Sequence, residues 1–527
     1  MEIEIFGGVN EIGGNKLFIN IGDRKFLFDF GLSFQESRQY FSEFLSPRKF
    51  NGIIDYLYLG LIPSLNDFYR NDLIQPFKEI LSRNPYNITL SDRNIVDAFF
   101  LTHAHMDHYK FIGFLKKSTP FYMNYISQTI IKHLVETTTD QLLPEILNFY
   151  EFFKTVPKKI QNKNGEIQYK RATKNDYKRG EITRKIMTME NEKSYFFKSN
   201  NGEVGITQYQ TDHSIPGACS YIIENDGRSI IYTGDFRRHG FHSEWVDNFI
   251  KKAIKVNPIV IITEGSRVKS IEEFRNGTYN EDDQSEQEVQ DRSKDIVRMH
   301  SGLILINCPS RNLDRILMYY KLAKEANRIF AVHPKIFAMI ESIRASLDDM
   351  CEDEIKIFND SYKLPEEIDK NFVVYLQRKG WGKFDSADYS GYQKRIFETN
   401  NFVNCFDIIN EPEKYLLYLD YFMLGELIDL NQKPETVLFL NSTTDPFNEE
   451  MVMQDERLNS WLQRFGILKT ETIHSSGHCN VDDLIDLLQK INADNVIPIH
   501  TEHPETFEEF GLSSKIILPE EGKKYFF

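Results

Sequence analysis

The sequence predicts an α/β protein with metal-type ligands gathered at the ends of its strands, and three observations carry that reading. Apolar, β-prone runs alternate with helical patterns along the chain. One such run, Ala98-Phe99-Phe100-Leu101-Thr102, stops at His103-Ala104-His105-Met106-Asp107-His108. Later runs stop in the same way at His213, Asp235 and His500. Neutral imidazole and carboxylate are borderline ligands suited to Zn²⁺. The four donors of the His103–His108 segment exceed what one tetrahedral ion takes from a single loop, which points to two Zn²⁺ ions. A His-rich surface loop without metal is the bland alternative. A cluster abutting a hydrophobic strand, in a chain with only 13 His, speaks against it.

Composition bounds the rest. The 527 residues, 41% hydrophobic and 27% charged, suffice for two or three domains with substantial cores. Lys+Arg 63 against Asp+Glu 78 leaves a net charge of −15, which disfavours a sequence-blind grip on nucleic acid over the whole surface but allows a local basic groove. No apolar stretch reaches the roughly 20 residues that span a bilayer. Met1 to Phe6 enters a strand pattern at once, without a basic or apolar leader, so the expected location is the cytoplasm, with no membrane partner. The five Cys (219, 308, 351, 405 and 479) stand singly, without the spacing of a disulfide framework or a Cys-x-x-Cys knuckle.

In chain order, Ile3 to Phe6 and Lys16 to Ile21 alternate as half-buried strands around the glycine-rich turn Gly7-Gly8 to Gly13-Gly14. A third strand, Lys25 to Phe30, ends in Asp29 and Gly31; Asp29 reads either as a turn former or as an acid that orients a ligating His through its other ring nitrogen. Residues 36 to 97 carry no assignable motif. Lys110 to Lys117 and Ser127 to Thr137 read as amphipathic helices. From Lys154 to Lys185 basic residues outnumber acids, with Tyr169 and Tyr177 interleaved. That stretch fits either a solvated basic loop or a contact to a phosphate backbone with tyrosines for base stacking.

The strand Gly205 to Asp212 leads into His213, and Ser229 to Gly234 leads into Asp235, a carboxylate placed to sit between two ions. Pro258 to Thr263 ends in Glu264-Gly265-Ser266. A separate α/β unit with a parallel sheet follows, running to about residue 434. Within it Ser310-Arg311-Asn312 precedes a helix, which suits either a phosphate at a helix N-terminus or an ordinary N-cap. Thr436 to Asn441 resumes the strand pattern. His474-Ser475-Ser476-Gly477-His478 then leads to the helix Val481 to Ile491, with Asn480 as its N-cap. Asn495 to Ile499 finally delivers His500.

These residues, in this order, resemble the metallo-β-lactamase superfamily, and within it the β-CASP nucleases, most closely the ribonuclease J group. Gly7 to Gly13 is similar to that group's opening, Asp29, His103 to His108, His213 and Asp235 to the superfamily motifs, and Glu264, His478 and His500 to the three β-CASP motifs. The resemblance implies a four-layer αββα sandwich made of residues 1–264 and 435–527, with a β-CASP unit at 265–434 inserted between. It implies His103, His105 and His213 on one Zn²⁺, Asp107, His108 and His500 on the other, and Asp235 shared. A bridging water activated between the ions would attack an RNA phosphodiester. His478 would hold the scissile phosphate or protonate the leaving oxygen, Glu264 would orient it, and Asp107 counts with them as catalytic. The His at 500 resembles the RNA-acting branch, and His474, Ser475 and Ser476, with Ser310 and Asn312, are the candidate phosphate contacts. Single-stranded RNA is the expected partner, exo- or endonucleolytic attack and homo-oligomerisation stay open, and a non-catalytic scaffold or a DNA-acting nuclease are the competing readings.

Three departures from the resemblance stand out. Tyr109-Lys110 replaces a small glycine-containing segment and is expected to narrow the approach to the metals. Thr501 replaces a glycine, and with 27 residues after His500 the ribonuclease J group's separate C-terminal domain is not expected.

Overall fold

Alternation of apolar residues decides which face each strand buries, and the computed structural model shows where those faces meet. It describes the whole chain except residues 43–44, 49–51, 66, 75–76, 84–94, 139–143, 154–158, 162–166, 170–177, 280–283, 367–368, 381–383, 434–435 and 447–448. One seven-stranded sheet runs Ile186–Met189, Phe121–Asn124, Ala98–Phe100, Arg24–Phe30, Lys16–Ile21, Glu2–Ile5 and Lys524–Phe526. A second, also of seven strands, runs Ser194–Ser199, Gly202–Gln210, Cys219–Asn225, Arg228–Tyr232, Val260–Thr263, Asn495–Pro498 and Lys515–Ile516.

Every second residue of each sheet enters a shared core: Ile3, Ile5, Leu17, Phe26 and Phe28 meet Val204, Ile206, Tyr221, Ile230 and Ile262. The residues between them face outwards. On the first sheet Phe18, Leu27, Phe99 and Phe121 share a core with Ile126, Ile130 and Ile131 of the helix Tyr125–Thr137. On the second, Ile222, Ile231, Ile261 and Val496 meet Val246 and Phe249 of the helix Ser243–Lys255, and Leu484, Leu487 and Leu488 of the helix Val481–Ile491. The result is the four-layer αββα sandwich expected from the sequence. Each of these large apolar side chains contributes about 1.5–3 kcal/mol by burial, so a Phe28→Ala core truncation costs about 3–5 kcal/mol.

A third seven-stranded sheet runs Phe402–Val403, Phe372–Tyr375, Ile329–Val332, Tyr415–Tyr418, Leu303–Asn307, Val437–Asn441 and Leu468–Lys469, with parallel pairing throughout. This is the inserted α/β unit, but its end differs from the expectation. The strand Val437–Asn441 does not return the chain to the sandwich; it pairs with Leu303–Asn307 in the third sheet, from Leu303↔Val437 to Asn307↔Asn441. Leu468–Lys469 pairs beside it, so the chain rejoins the sandwich after Lys469 rather than at residue 435. A short apolar strand buried in a parallel sheet has the same pattern whichever sheet takes it, and its own residues carry no address.

Two local expectations also change. Lys110 to Lys117 is not an amphipathic helix: a one-turn helix, Met106–Tyr109, is followed by a 3-10 turn, Ile112–Phe114, and Phe111 to Lys116 are all buried. Within the basic stretch, residues 154–158, 162–166 and 170–177 lie outside the described residues. Arg184, counted among its charges, is buried; its guanidinium donates to the carbonyls of Gly113, Leu115 and Lys116.

Candidate metal centre

Strand direction places the donors. In the second sheet Gly202–Gln210 and Arg228–Tyr232 flank the antiparallel Cys219–Asn225, and Val260–Thr263 and Asn495–Pro498 run parallel to Arg228–Tyr232. Four C-terminal ends therefore share one edge, carrying His213, Asp235, Glu264 and His500. The parallel strands Arg24–Phe30 and Ala98–Phe100 of the first sheet end at Asp29 and at the 103–108 loop. Binding groups collect beyond the carboxyl ends of parallel strands for this topological reason. Glycine lets the loops close: a Cβ on Gly31 would sit 1.6 Å from the Asp107 carbonyl oxygen, and one on Gly13, at φ +88°, 2.9 Å from its carboxylate. The same turn holds His500, whose N–H donates to the Gly8 carbonyl at 2.7 Å.

The predicted ligand atoms form two adjoining groups, each with its members within 4.8 Å of one another: His103, His105 and His213, and Asp107, His108, Asp235 and His500; a third set of the same reach, His213, Asp235 and His478, overlaps both. In the first, His105 Nδ1 lies 3.0 Å from His103 Nε2 and 3.1 Å from His213 Nε2. In the second, Asp235 Oδ2 is 3.1 Å from His108 Nε2 and 3.8 Å from His103 Nε2, so this carboxylate faces both groups. His500 Nε2 is 3.8 Å from Asp107 Oδ2, and its Nδ1 is 3.3 Å from Asp235 Oδ1.

A metal fits this arrangement on three grounds. Burial first, and then the proximity of the other rings, holds His103 and His500 well below the ordinary imidazole pKa. Burial depresses His105 and His213 too, followed by Arg311 for the first and by the His105 ring for the second, so neutral rings turn lone pairs towards one another. Asp235 Oδ1 and both ring nitrogens of His500 are buried without a hydrogen-bond partner, a costly state that coordination relieves. His108 behaves oppositely: burial depresses it, but Asp235, Asp29 and Asp107 outweigh burial and hold it well above the usual value. The positive charge it takes up is the charge a cation would supply.

Asp29 is the orienting acid of the two readings given above, and its backbone is also in the left-handed region, at φ 52°. Its fully buried carboxylate accepts from His108 Nδ1 at 2.7 Å, Tyr232 Oη at 2.7 Å, and the Thr102 N–H and hydroxyl at 2.9 and 2.8 Å. That bond leaves His108 Nε2 for the cluster. His213 Nδ1 is likewise held, by the Gly477 carbonyl. His500 has φ 53°, an uncommon backbone for a non-glycine residue and one that clusters at functional sites.

Beside the cluster, His478 Nδ1 is 3.0 Å from Glu264 Oε2 and 3.0 Å from Ser266 Oγ. Glu264 is fixed in turn by the Phe236 N–H at 2.9 Å and the Ser266 hydroxyl at 2.6 Å. Burial alone would lower the imidazole, but Glu264, then Asp235 and Asp107, push it up to about 9. His478 keeps a quarter of its side chain exposed, against none for His500.

The candidate phosphate contacts divide. Asn312 Oδ1 accepts from the Arg315 N–H and caps the helix Leu313–Glu325, as the bland reading had it, while its Nδ2 is buried without a hydrogen bond. His474 Nδ1 and Ser475 Oγ are buried without one as well. Ser476 is engaged: its hydroxyl accepts from the His478 N–H and its carbonyl from Arg237. Ser310 is exposed. Tyr109 is 1% exposed and packs into the core behind the loop, so it does not narrow the approach to the cluster. Sequence reasoning missed Ser266, Arg237, Glu286 and Arg315; the Ser two residues after Glu264 was the one local signal available.

Comparison with known proteins adds to this geometry. A profile described as the Zn-dependent metallo-hydrolase RNA specificity domain matches residues 467–509, the segment holding His474 to His478 and His500. Ribonuclease J of Mycoplasma genitalium is 21% identical over 95% of this chain and 68% of its own length. Ribonuclease J 2 of Streptococcus pyogenes is 20% identical over 98% of this chain and 72% of its own. A crystallised protein of unknown function from Enterococcus faecalis V583 shares the fold, with TM-score 0.64, 18% identity and 99% of both chains covered. The fold is thus of the metallo-β-lactamase type with a β-CASP-type insert, and the chain is similar to ribonuclease J over nearly all of its length.

Proposed function

We propose that this protein is a zinc-dependent ribonuclease that hydrolyses RNA phosphodiester bonds. The observation that carries the reading is the convergence of His103, His105, His213, Asp107, His108, Asp235 and His500 beside the Glu264–His478 pair, in a chain whose matched segment belongs to an RNA specificity domain. His103, His105 and His213 would hold one Zn²⁺ and Asp107, His108 and His500 a second, with Asp235 between them. Ions bound there would neutralise phosphoryl charge and supply an activated water at neutral pH.

The chain's own groups do the rest. Asp29 and the Gly477 carbonyl fix the ring orientation of His108 and His213. Glu264 and Ser266 hold His478 by Nδ1 and leave Nε2 for the substrate. Glu264, first among its neighbours, pushes the His478 pKa up to about 9 and so favours its protonated form. His478 is suited to give a proton to the departing ribose oxygen. The buried, partnerless atoms of His474, Ser475 and Asn312 support a phosphate contact near this loop, and with it attack from a 5′ end on single-stranded RNA. Four of the five free cysteines are buried, which suits a chain kept reduced in the cytoplasm.

Incubation with 5′- and 3′-labelled RNA and DNA, with and without chelator, tests the reading. Chelator-sensitive cleavage of RNA over DNA is the expected outcome. Failure to cleave RNA when zinc is bound would return the chain to the scaffold reading. A 5′-phosphorylated RNA is expected to be cleaved faster than its 5′-hydroxyl counterpart; equal rates with internal products would remove the 5′-end assignment.

A further inference from the structure

Directly behind the centre lies a buried network of charges that the proposed chemistry does not use. Arg237, two residues after Asp235, is fully buried. Its Nε donates to Asp212 Oδ1 at 3.1 Å, and its Nη1 to Glu286 Oε1 at 2.6 Å and to the Ser476 carbonyl at 3.3 Å. Glu286, also fully buried, accepts from Arg315 Nε at 3.0 Å and Nη2 at 2.9 Å, a bidentate fork. Arg315 Nη1 donates to the Ser442 hydroxyl at 2.6 Å, which donates to the Ile473 carbonyl at 2.8 Å.

This network joins segments that the topology keeps apart. Asp212 precedes His213, and Arg237 follows Asp235. Glu286 begins the helix Glu286–Met299, and Arg315 lies in the first turn of Leu313–Glu325, both in the inserted unit. Ser476 begins the turn that carries His478, whose N–H its hydroxyl accepts. Buried ion pairs are weak sources of stability, since apolar groups of similar volume do as well or better. What the arginine forks supply is fixed direction.

We propose that Arg237, Glu286 and Arg315 are positioning residues: a clamp that sets the 473–478 loop, and with it His478, over the donor cluster and in register with the inserted sheet. The clamp rests on the ribonuclease reading. Cleavage that needs a proton for its leaving oxygen depends on it, whereas metal loading and attack on phosphorus do not.

The test compares the parent with Glu286→Gln, Arg315→Lys, and the paired apolar change Glu286→Leu with Arg315→Met, which leaves Arg237 its Asp212 partner. Each is assayed for bound zinc, for hydrolysis of bis(p-nitrophenyl) phosphate, whose leaving group departs without a proton, and for kcat and KM on RNA. The expected result is parental zinc content and an activated-diester rate within about 3-fold, with kcat on RNA down about 100-fold and KM changed far less. Arg315→Lys, which keeps the charge but not the fork, falls between the parent and the apolar pair. Equal losses on both substrates in the zinc-loaded apolar pair, or undiminished RNA cleavage, would overturn the clamp. A parent that hydrolyses the diester but no RNA overturns the ribonuclease reading, and the clamp with it.

Discussion

The two halves of the donor cluster are built from different chemistry. His103, His105 and His213 are three imidazoles, and burial holds all of them neutral. Asp107, His108, Asp235 and His500 bring two carboxylates, and there His108 is drawn towards its protonated form. The first half offers a cation neutral lone pairs only, and nothing in it demands charge. The second carries negative charge that something positive must balance, a proton on His108 or a metal. Asp235 belongs to both, and its carboxyl is itself pushed up by burial, against the pull of His108.

The largest effect is therefore expected at the shared carboxylate. Asp235→Asn should lower RNA cleavage by about a thousandfold or more and reduce bound zinc in both halves. Elemental analysis beside the activity assay checks it, and a variant that keeps full metal content would break the comparison.

His500→Ala removes a donor from the carboxylate half alone. It should cost one ion per chain and about a hundredfold in rate, while the three-imidazole half keeps its ion. Loss of both ions would mean that the halves do not load separately.

Asp29→Asn removes no donor to the metals but weakens the orientation of His108, so metal affinity or activity should fall by about 10–100-fold. Zinc titration against a competing chelator reads this directly. The effect should be confined to the carboxylate half.

The smallest effect concerns a carboxylate outside both halves. Burial works against ionisation of Glu286, yet Arg315 and Arg237 hold its pKa down at about 2, from 4.5. A group depressed on folding contributes stability in full above its unfolded pKa. Here that contribution is lost as the pH falls from about 4.5 towards 2. The stability gap between parent and Glu286→Gln should accordingly narrow between neutral pH and pH ~3 in acid-unfolding curves. A gap independent of pH would show that ionised Glu286 is not what the arginines hold.

Much of the sandwich was legible because period-two alternation encodes a strand's buried face, and strand ends were marked by His, Asp or Glu. The N-cap at Asn480 was legible for the same local reason: its side chain accepts from the Asp483 N–H. The strand Val437–Asn441 was read as a strand but given to the wrong sheet, since partner choice is settled by contacts some 130 residues away. Phe111 to Lys116 misled because residues buried on every side imitate an amphipathic pattern in a short window. Both roles of Asp29, turn and orienting acid, were readable in the sequence, but its bonds to Tyr232 and Thr102 were not. Arg237, Glu286 and Arg315 left no mark at all, because a charged residue in a sequence looks solvated until the fold buries it.

The central claim is that donors scattered from residue 103 to residue 500 form one two-ion centre. Anomalous diffraction at the zinc edge, on crystals of the chain purified with zinc, measures it most directly. Two peaks are predicted, one among His103, His105 and His213 and one among Asp107, His108 and His500, with Asp235 between them. A single peak outside the cluster, or no peak from crystals grown with excess zinc, would contradict it.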